Sequence, residues 1–214
     1  VDNGSISLSQ QAAGVRHDGG TLRNCLVAGN KSSGHSAGVY MSAAGAKMQF
    51  CTVYGNVVAG DASGFSGLRM TNGTATDNVI SGNGPEGGSA GSCNVTGGTF
   101  TRNVIDVQVD YGAGNVAADP KFADAANGDF HPQNKSSPLV DKGADIEGLE
   151  RDLDGNARPQ DGNCTGEADY DIGCYEAPTY TVDLACATMF SQDSGKEPLD
   201  VTVTATVAGT ARHN

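Results

Sequence analysis

The sequence predicts an all-β chain wound as a parallel β-solenoid. Three observations carry that expectation: a unit of about 25 residues that recurs four times, alternation of apolar residues within each unit, and a glycine-rich, aromatic-poor composition. Among 214 residues there are 31 Gly, six Phe, six Tyr and no Trp, so small stacked side chains must build most of the interior. The length suits one domain, or one with a fragment of another. The regular patterning excludes a disordered chain, and no apolar run approaches the ~20 residues of a membrane-spanning helix.

The opening "VDNGSISLSQ" has no basic start and no apolar centre, so it does not read as a signal peptide. With no atypical segment at this end, the chain is expected to be part of a longer protein. The first phrase of each unit follows: "AGVRH" at 13–17, "AGVYM" at 37–41, "SGLRM" at 66–70 and "AGSCN" at 90–94. Alternation points Val15, Val39 and Leu68 inward, and Arg16, Tyr40, Arg69 and Cys93 outward as a vertical ladder with rungs ~4.8 Å apart. The second phrase is "TLRNCLVAGN" at 21–30, "KMQFCTVYGN" at 47–56, "TATDNVISGN" at 74–83 and "TFTRNVIDVQ" at 99–108. Its columns are Leu22, Met48, Ala75, Phe100; Cys25, Cys51, Asn78, Asn103; and Val27, Val53, Ile80, Ile105. The column holding Cys25 and Asn78 falls at a sharp bend between strands, where Asn tolerates the left-handed conformation and stacked amides bond to one another. Units this short, without room for a helix, read as solenoid coils.

Beyond residue 115 the texture changes. Six of the seven prolines lie past Asp119 or just after it, and residues 116–214 carry −11 of the net charge of −12. The aperiodic stretch 116–177 therefore reads as a final coil and loop-rich cap for the open end of the 1–115 coils. From Thr179 the alternation of "TYTVDL" and "LDVTVTATV", joined by "SGKEP", reads as antiparallel strands of a separate segment, 178–214.

The pair "AGVYM…FCTVYGN" and "SGLRM…DNVISGN", followed by "ADPKFADAANGDFHPQNKSSPLVDKGA", "DLDGNARPQ" and "DYDIGCYE", resembles the right-handed parallel β-helix proteins of the pectate-lyase-like superfamily, in their bacterial surface and secreted branch. The resemblance covers residues 10–177 and implies four to six coils with three short strands each. The segment 178–214 resembles the opening strands of an immunoglobulin-like surface module of the polycystic-kidney-disease type. The resemblance also implies that the outward ladder lines a substrate groove in the lyases, with an Arg or Lys as base and acidic residues holding calcium. On that basis Arg16, Tyr40 and Arg69 are candidate ligand-binding residues, with Arg69 and Tyr40 as candidate catalytic ones; the alternative is an ordinary solvated face. No pair among Asp61, Asp77, Glu86, Asp106 and Asp110 falls in register on one outward face, as a hydrolase would need. His17, His35, His131 and His213 have no metal-ligand spacing.

The acidic loop gives two readings. Asp152, Asp154, Asn156 and Asp161 offer hard oxygens suited to calcium, although the spacing is not that of an EF-hand. Alternatively Arg158 pairs with Asp171 or Glu176 to lock the cap, and Asp-Gly steps form turns. Cys25 and Cys51 are expected as stacked reduced thiols, and Cys164 with Cys174 as a disulfide stapling the cap; Cys93 and Cys186 remain unassigned. Six basic residues spread through the coils disfavour nucleic acid and anionic membranes, leaving a glycan or a protein receptor as partner. The expected function is a secreted or cell-surface scaffold for adhesion or glycan binding; the alternative is a polysaccharide lyase or glycoside hydrolase.

Overall fold

The computed structural model describes residues 4–5, 14–33, 36–59, 64–84, 92–108 and 110–178. The strands expected beyond Thr179, Cys186, Asp61, Glu86, His35, His213 and the tips of the loops 59–66 and 84–89 lie outside the described residues. By its internal contacts the chain divides into Val1–Thr179 and Tyr180–Asn214, and only the first is described below.

The first unit is a parallel β-solenoid of about three turns, with four rows stacked in two of its sheets and five in a third. Its first sheet stacks β2 (Val15–His17), β6 (Val39–Met41), β10 (Leu68–Met70) and β13 (Cys93–Val95). The second stacks β3 (Gly20–Arg23), β7 (Ala46–Gln49), β11 (Thr74–Thr76) and β14 (Thr99–Thr101). The third stacks β4 (Leu26–Ala28), β8 (Thr52–Tyr54), β12 (Val79–Ser81), β15 (Val104–Ile105) and β16 (Val116–Ala117). A fourth, two-residue strand joins them in the early rows: β1 (Gly4–Ser5), β5 (Lys31–Ser32) and β9 (Val57–Val58). Every pairing in these four sheets is parallel, so each strand meets its counterpart one turn on.

Register matches the columns of the repeat. Leu22, Met48, Ala75 and Phe100 pair in sequence, as do Val27, Val53, Ile80 and Ile105, and these residues fill a common core. One column needs correction. Leu68 pairs with Cys93 and Arg69 with Asn94, so Cys93 belongs to the inward Val15–Val39–Leu68 column and Asn94 completes the outward ladder. Burial pushes the Cys93 thiol up to about 12, as an apolar surround disfavours the thiolate. The register differs because "AGSCN" carries one residue more before its strand than "SGLRM" does.

Each coil turns two corners of one design, a left-handed residue followed by a buried polar one. At the first corner Asn24, Phe50, Asp77 and Arg102 take φ of 53°, 51°, 60° and 54°, each just before Cys25, Cys51, Asn78 and Asn103. The left-handed conformation thus falls one residue earlier than the Asn column to which it was assigned. This leaves the Asn free to ladder: Asn78 Nδ2 donates to Asn103 Oδ1 at 2.9 Å, and Asn103 Nδ2 to Asn115 Oδ1 at 3.0 Å. At the second corner Gly29, Gly55 and Gly82 supply the positive φ, and Asn30, Asn56 and Asn83 form the same ladder at 2.8 and 2.9 Å. The glycine of the "AGV" phrase has a different cause: a Cβ on Gly38 would lie 2.3 Å from the Gly67 carbonyl oxygen one turn on.

The segment after Asp119 was expected to cover an open end. Instead it runs back along the side, over the first corner. The main-chain N–H of Gly173 donates to the Asp77 carbonyl at 3.0 Å, Cys174 N–H to Thr52 Oγ1 at 3.3 Å, and Asn24 Nδ2 to the Arg151 carbonyl at 3.2 Å. Leu139, Ile172 and Phe122 make a second small core with Val79 and Val104, on the outer face of the third sheet. The antiparallel pair β17 (Phe122–Asp124) and β18 (Asp129–Pro132), linked by a single 3-10 turn at Ala125–Asn127, lies against the same sheet, where Phe130 meets the Tyr54 ring at 4.8 Å. No helix among the described residues is long and apolar enough to cross a membrane.

Candidate functional site

The outer face of β2, β6 and β10 carries the expected ladder. Alternation along each strand turns Arg16, Tyr40 and Arg69 outward, and parallel pairing puts them in direct register. Their side chains stack. The Arg16 guanidinium carbon lies 5.5 Å from the Tyr40 ring centre, and that of Arg69 lies 5.2 Å from it and 6.0 Å from the Phe65 ring. Such cation–π contacts contribute ~0.5–1 kcal/mol each at exposed sites, enough to orient a flat strip. Arg16 also pairs with Asp18 at 2.6 Å, and that hydrogen bond holds the Asp18 carboxyl below its usual range. Arg69 has no carboxylate partner among the described residues. The strip thus offers guanidinium donors beside an aromatic ring, the equipment for gripping a polar ligand with a flat face.

The acidic loop is committed to the fold. Asp152 Oδ1 accepts the N–H groups of Asp154 and Asn156 at 3.0 and 2.8 Å, and its Oδ2 accepts Asn156 Nδ2 and the Glu176 N–H. Asp161 likewise caps a turn through Thr165 and Gly166, and the Asp154 carboxylate approaches His131 Nε2 at 3.3 Å. Of the four candidate calcium ligands, Asp152 and Asn156 are bonded to each other, Asp154 faces His131 and Asp161 caps its own turn. Among the described residues no three His, Cys, Asp or Glu side chains form a group fit to hold a metal ion.

The second reading of that loop describes what the residues do. Arg158 is buried, with Nε on Glu176 Oε1 and Nη2 on the Asp171 carbonyl at 2.6 Å. Its guanidinium also lies over Phe50 at 5.0 Å and Tyr170 at 5.8 Å. Asp171 instead accepts main-chain N–H groups of Asp141 and Ala177 at 2.7 and 2.6 Å. Burial first, and the Glu176 charge second, push its carboxyl up to about 8. Cys164 is exposed and Cys174 buried, and both thiols are free, so the expected disulfide is not formed; Arg158 does the stapling. Cys25 and Cys51 are free thiols in one inward column, as expected, with burial driving the Cys51 thiol well above its ordinary range.

Sequence reasoning missed the corner column Asn24, Phe50, Asp77 and Arg102, where the returning segment docks. Asn24 Oδ1 accepts Arg158, Phe50 packs on Tyr170 at 5.7 Å, and Asp77 Oδ1 accepts the Ala144 N–H while its carboxylate takes a bidentate grip from Arg102 at 2.9 and 3.1 Å. The signal was present: these four positions differ in every copy, beside neighbours that repeat. No family model, no curated protein and no solved structure gives a significant match to this chain.

Proposed function

We propose that this chain is a secreted or cell-surface β-helix scaffold that binds a glycan or a protein receptor through the Arg16–Tyr40–Arg69 strip. The in-register stack is the observation that supports this reading. The core takes nothing from these three side chains, yet they are held flat against one another on the outer face of the first sheet. The likeness of the coils and their ending to the pectate-lyase-like superfamily, and of residues 178–214 to a polycystic-kidney-disease-type module, points the same way, toward extracellular display. A scaffold presents its strip without turnover. On an immobilised panel of polysaccharides, binding is expected to weaken about tenfold in Arg69→Ala and in Tyr40→Ala, the loss of one charge-assisted or stacking contact. Depolymerisation of any member, abolished by Arg69→Ala, would replace the scaffold with a carbohydrate-active enzyme.

A further inference from the structure

Where the β17–β18 hairpin leans on the third sheet it leaves a cleft of about 370 Å³. This falls at the small end of the ~300–1,000 Å³ typical of small-molecule sites. Tyr54 and Phe122 form its apolar wall, and Asp106, Asp119, Lys121 and Gln133 supply its polar groups.

Both carboxylates are held by the main chain. The Gly82 N–H donates to Asp106 Oδ2 at 2.5 Å and the Lys121 N–H to Asp119 Oδ1 at 2.9 Å. The second oxygen of each has no donor among the described residues. Lys121 forms no ion pair with either carboxylate; its ammonium is engaged with the Ser136 carbonyl at 3.2 Å and hydroxyl at 3.4 Å. The wall is equally fixed. Phe122 meets the Tyr54 ring edge-on at 5.7 Å, and Gly82 approaches it so closely that a Cβ would lie 2.5 Å from the ring. The Tyr54 hydroxyl and the Gln133 side-chain amide make no hydrogen bond among the described residues.

We propose that this cleft binds one neutral sugar residue through two of its hydroxyl groups. The hydroxyls donate to the open oxygens of Asp106 and Asp119, charge-assisted bonds stronger than neutral ones. The sugar's C–H surface rests on Tyr54 and Phe122, and Gln133 offers both a donor and an acceptor. Two carboxylates against one lysine leave the lining net negative, which disfavours a uronate or a sulfated sugar. The site shares no residue with the Arg16–Tyr40–Arg69 strip and does not depend on it.

Titration of the ¹⁵N-labelled chain with methyl β-galactoside, methyl α-mannoside, methyl β-glucoside and methyl β-glucuronide tests this. At least one neutral glycoside is expected to shift the Gly82 and Lys121 amides saturably, and the glucuronide to shift neither. Asp106→Asn and Asp119→Asn should each weaken that binding about tenfold, the size of one lost charge-assisted hydrogen bond, while Arg69→Ala leaves it unchanged. Exposed Gln133→Ala gives a further weakened variant should an Asn variant lose its native spectrum. No shift with any neutral glycoside, equal binding of the glucuronide, or binding indifferent to all three cleft variants overturns the proposal.

Discussion

Among single side chains, each corner asparagine satisfies several buried main-chain groups at once. Asn78 Oδ1 accepts the Cys51 N–H at 2.9 Å, while its Nδ2 serves both the Met48 carbonyl at 3.1 Å and Asn103. Asn78→Ala strands a buried N–H and a buried carbonyl, so a loss of ~2–4 kcal/mol is expected in urea unfolding. Cys51 occupies the equivalent slot one turn earlier. Its thiol points at the Leu22 and Gln49 carbonyls at 3.5 and 3.3 Å, the two kinds of acceptor that Asn103 reaches in Ala75 and Thr101. Cys51→Asn should therefore extend the ladder onto Asn78 and leave the unfolding midpoint no lower than in the parent. A lower midpoint would show that the slot narrows toward the first row.

The strands and corners were readable in the sequence because each obeys a local rule repeated four times. Leu22, Met48, Ala75 and Phe100 share one column since a two-residue period and parallel stacking leave them one place to go. The register at Cys93 was not readable, because a single extra residue in a loop shifts a strand by one position and turns its faces over. Nor was the path of 139–177, whose contacts join residues more than 120 positions apart, as Arg158 joins Asn24. The Arg16–Tyr40–Arg69 strip was visible as a column, but its stacking was not. The returning segment hangs on Arg158. Arg158→Met leaves Glu176 buried without its cation and the Asp171 and Gly173 carbonyls without donors. Breaking such a buried pair costs ~3–5 kcal/mol. Hydrogen exchange should accelerate at the Gly173, Cys174 and Ala144 amides, with the ladder amides of Asn56 and Asn78 still protected; uniform acceleration would mean that solenoid and segment open together.

The fold as a unit also has a direction in pH. Burial raises the carboxyls of Asp171, to about 8, and of Asp141 and Glu176. A carboxyl whose folded pKa lies above its unfolded value near ~3.9 stabilises the fold below that value, and the contribution is lost as pH rises through the folded pKa. Stability should therefore fall between about pH 4 and pH 8, by up to ~1.4 kcal/mol per pH unit for one proton. Thermal melts across that range, with Asp171→Asn flattening the slope, check the assignment; a melting temperature that climbs with pH would reverse it. The two asparagine ladders give the stack a further property. In both, the asparagine Nδ2 donates to the Oδ1 of the following row and also returns an N–H to a main-chain carbonyl of its own or the preceding row. The side-chain bonds therefore run one way along the axis, each Oδ1 accepting from the row before it. Removing one rung therefore strands a donor on the row before it and an acceptor on the row after it, so damage at a corner reaches both neighbouring turns.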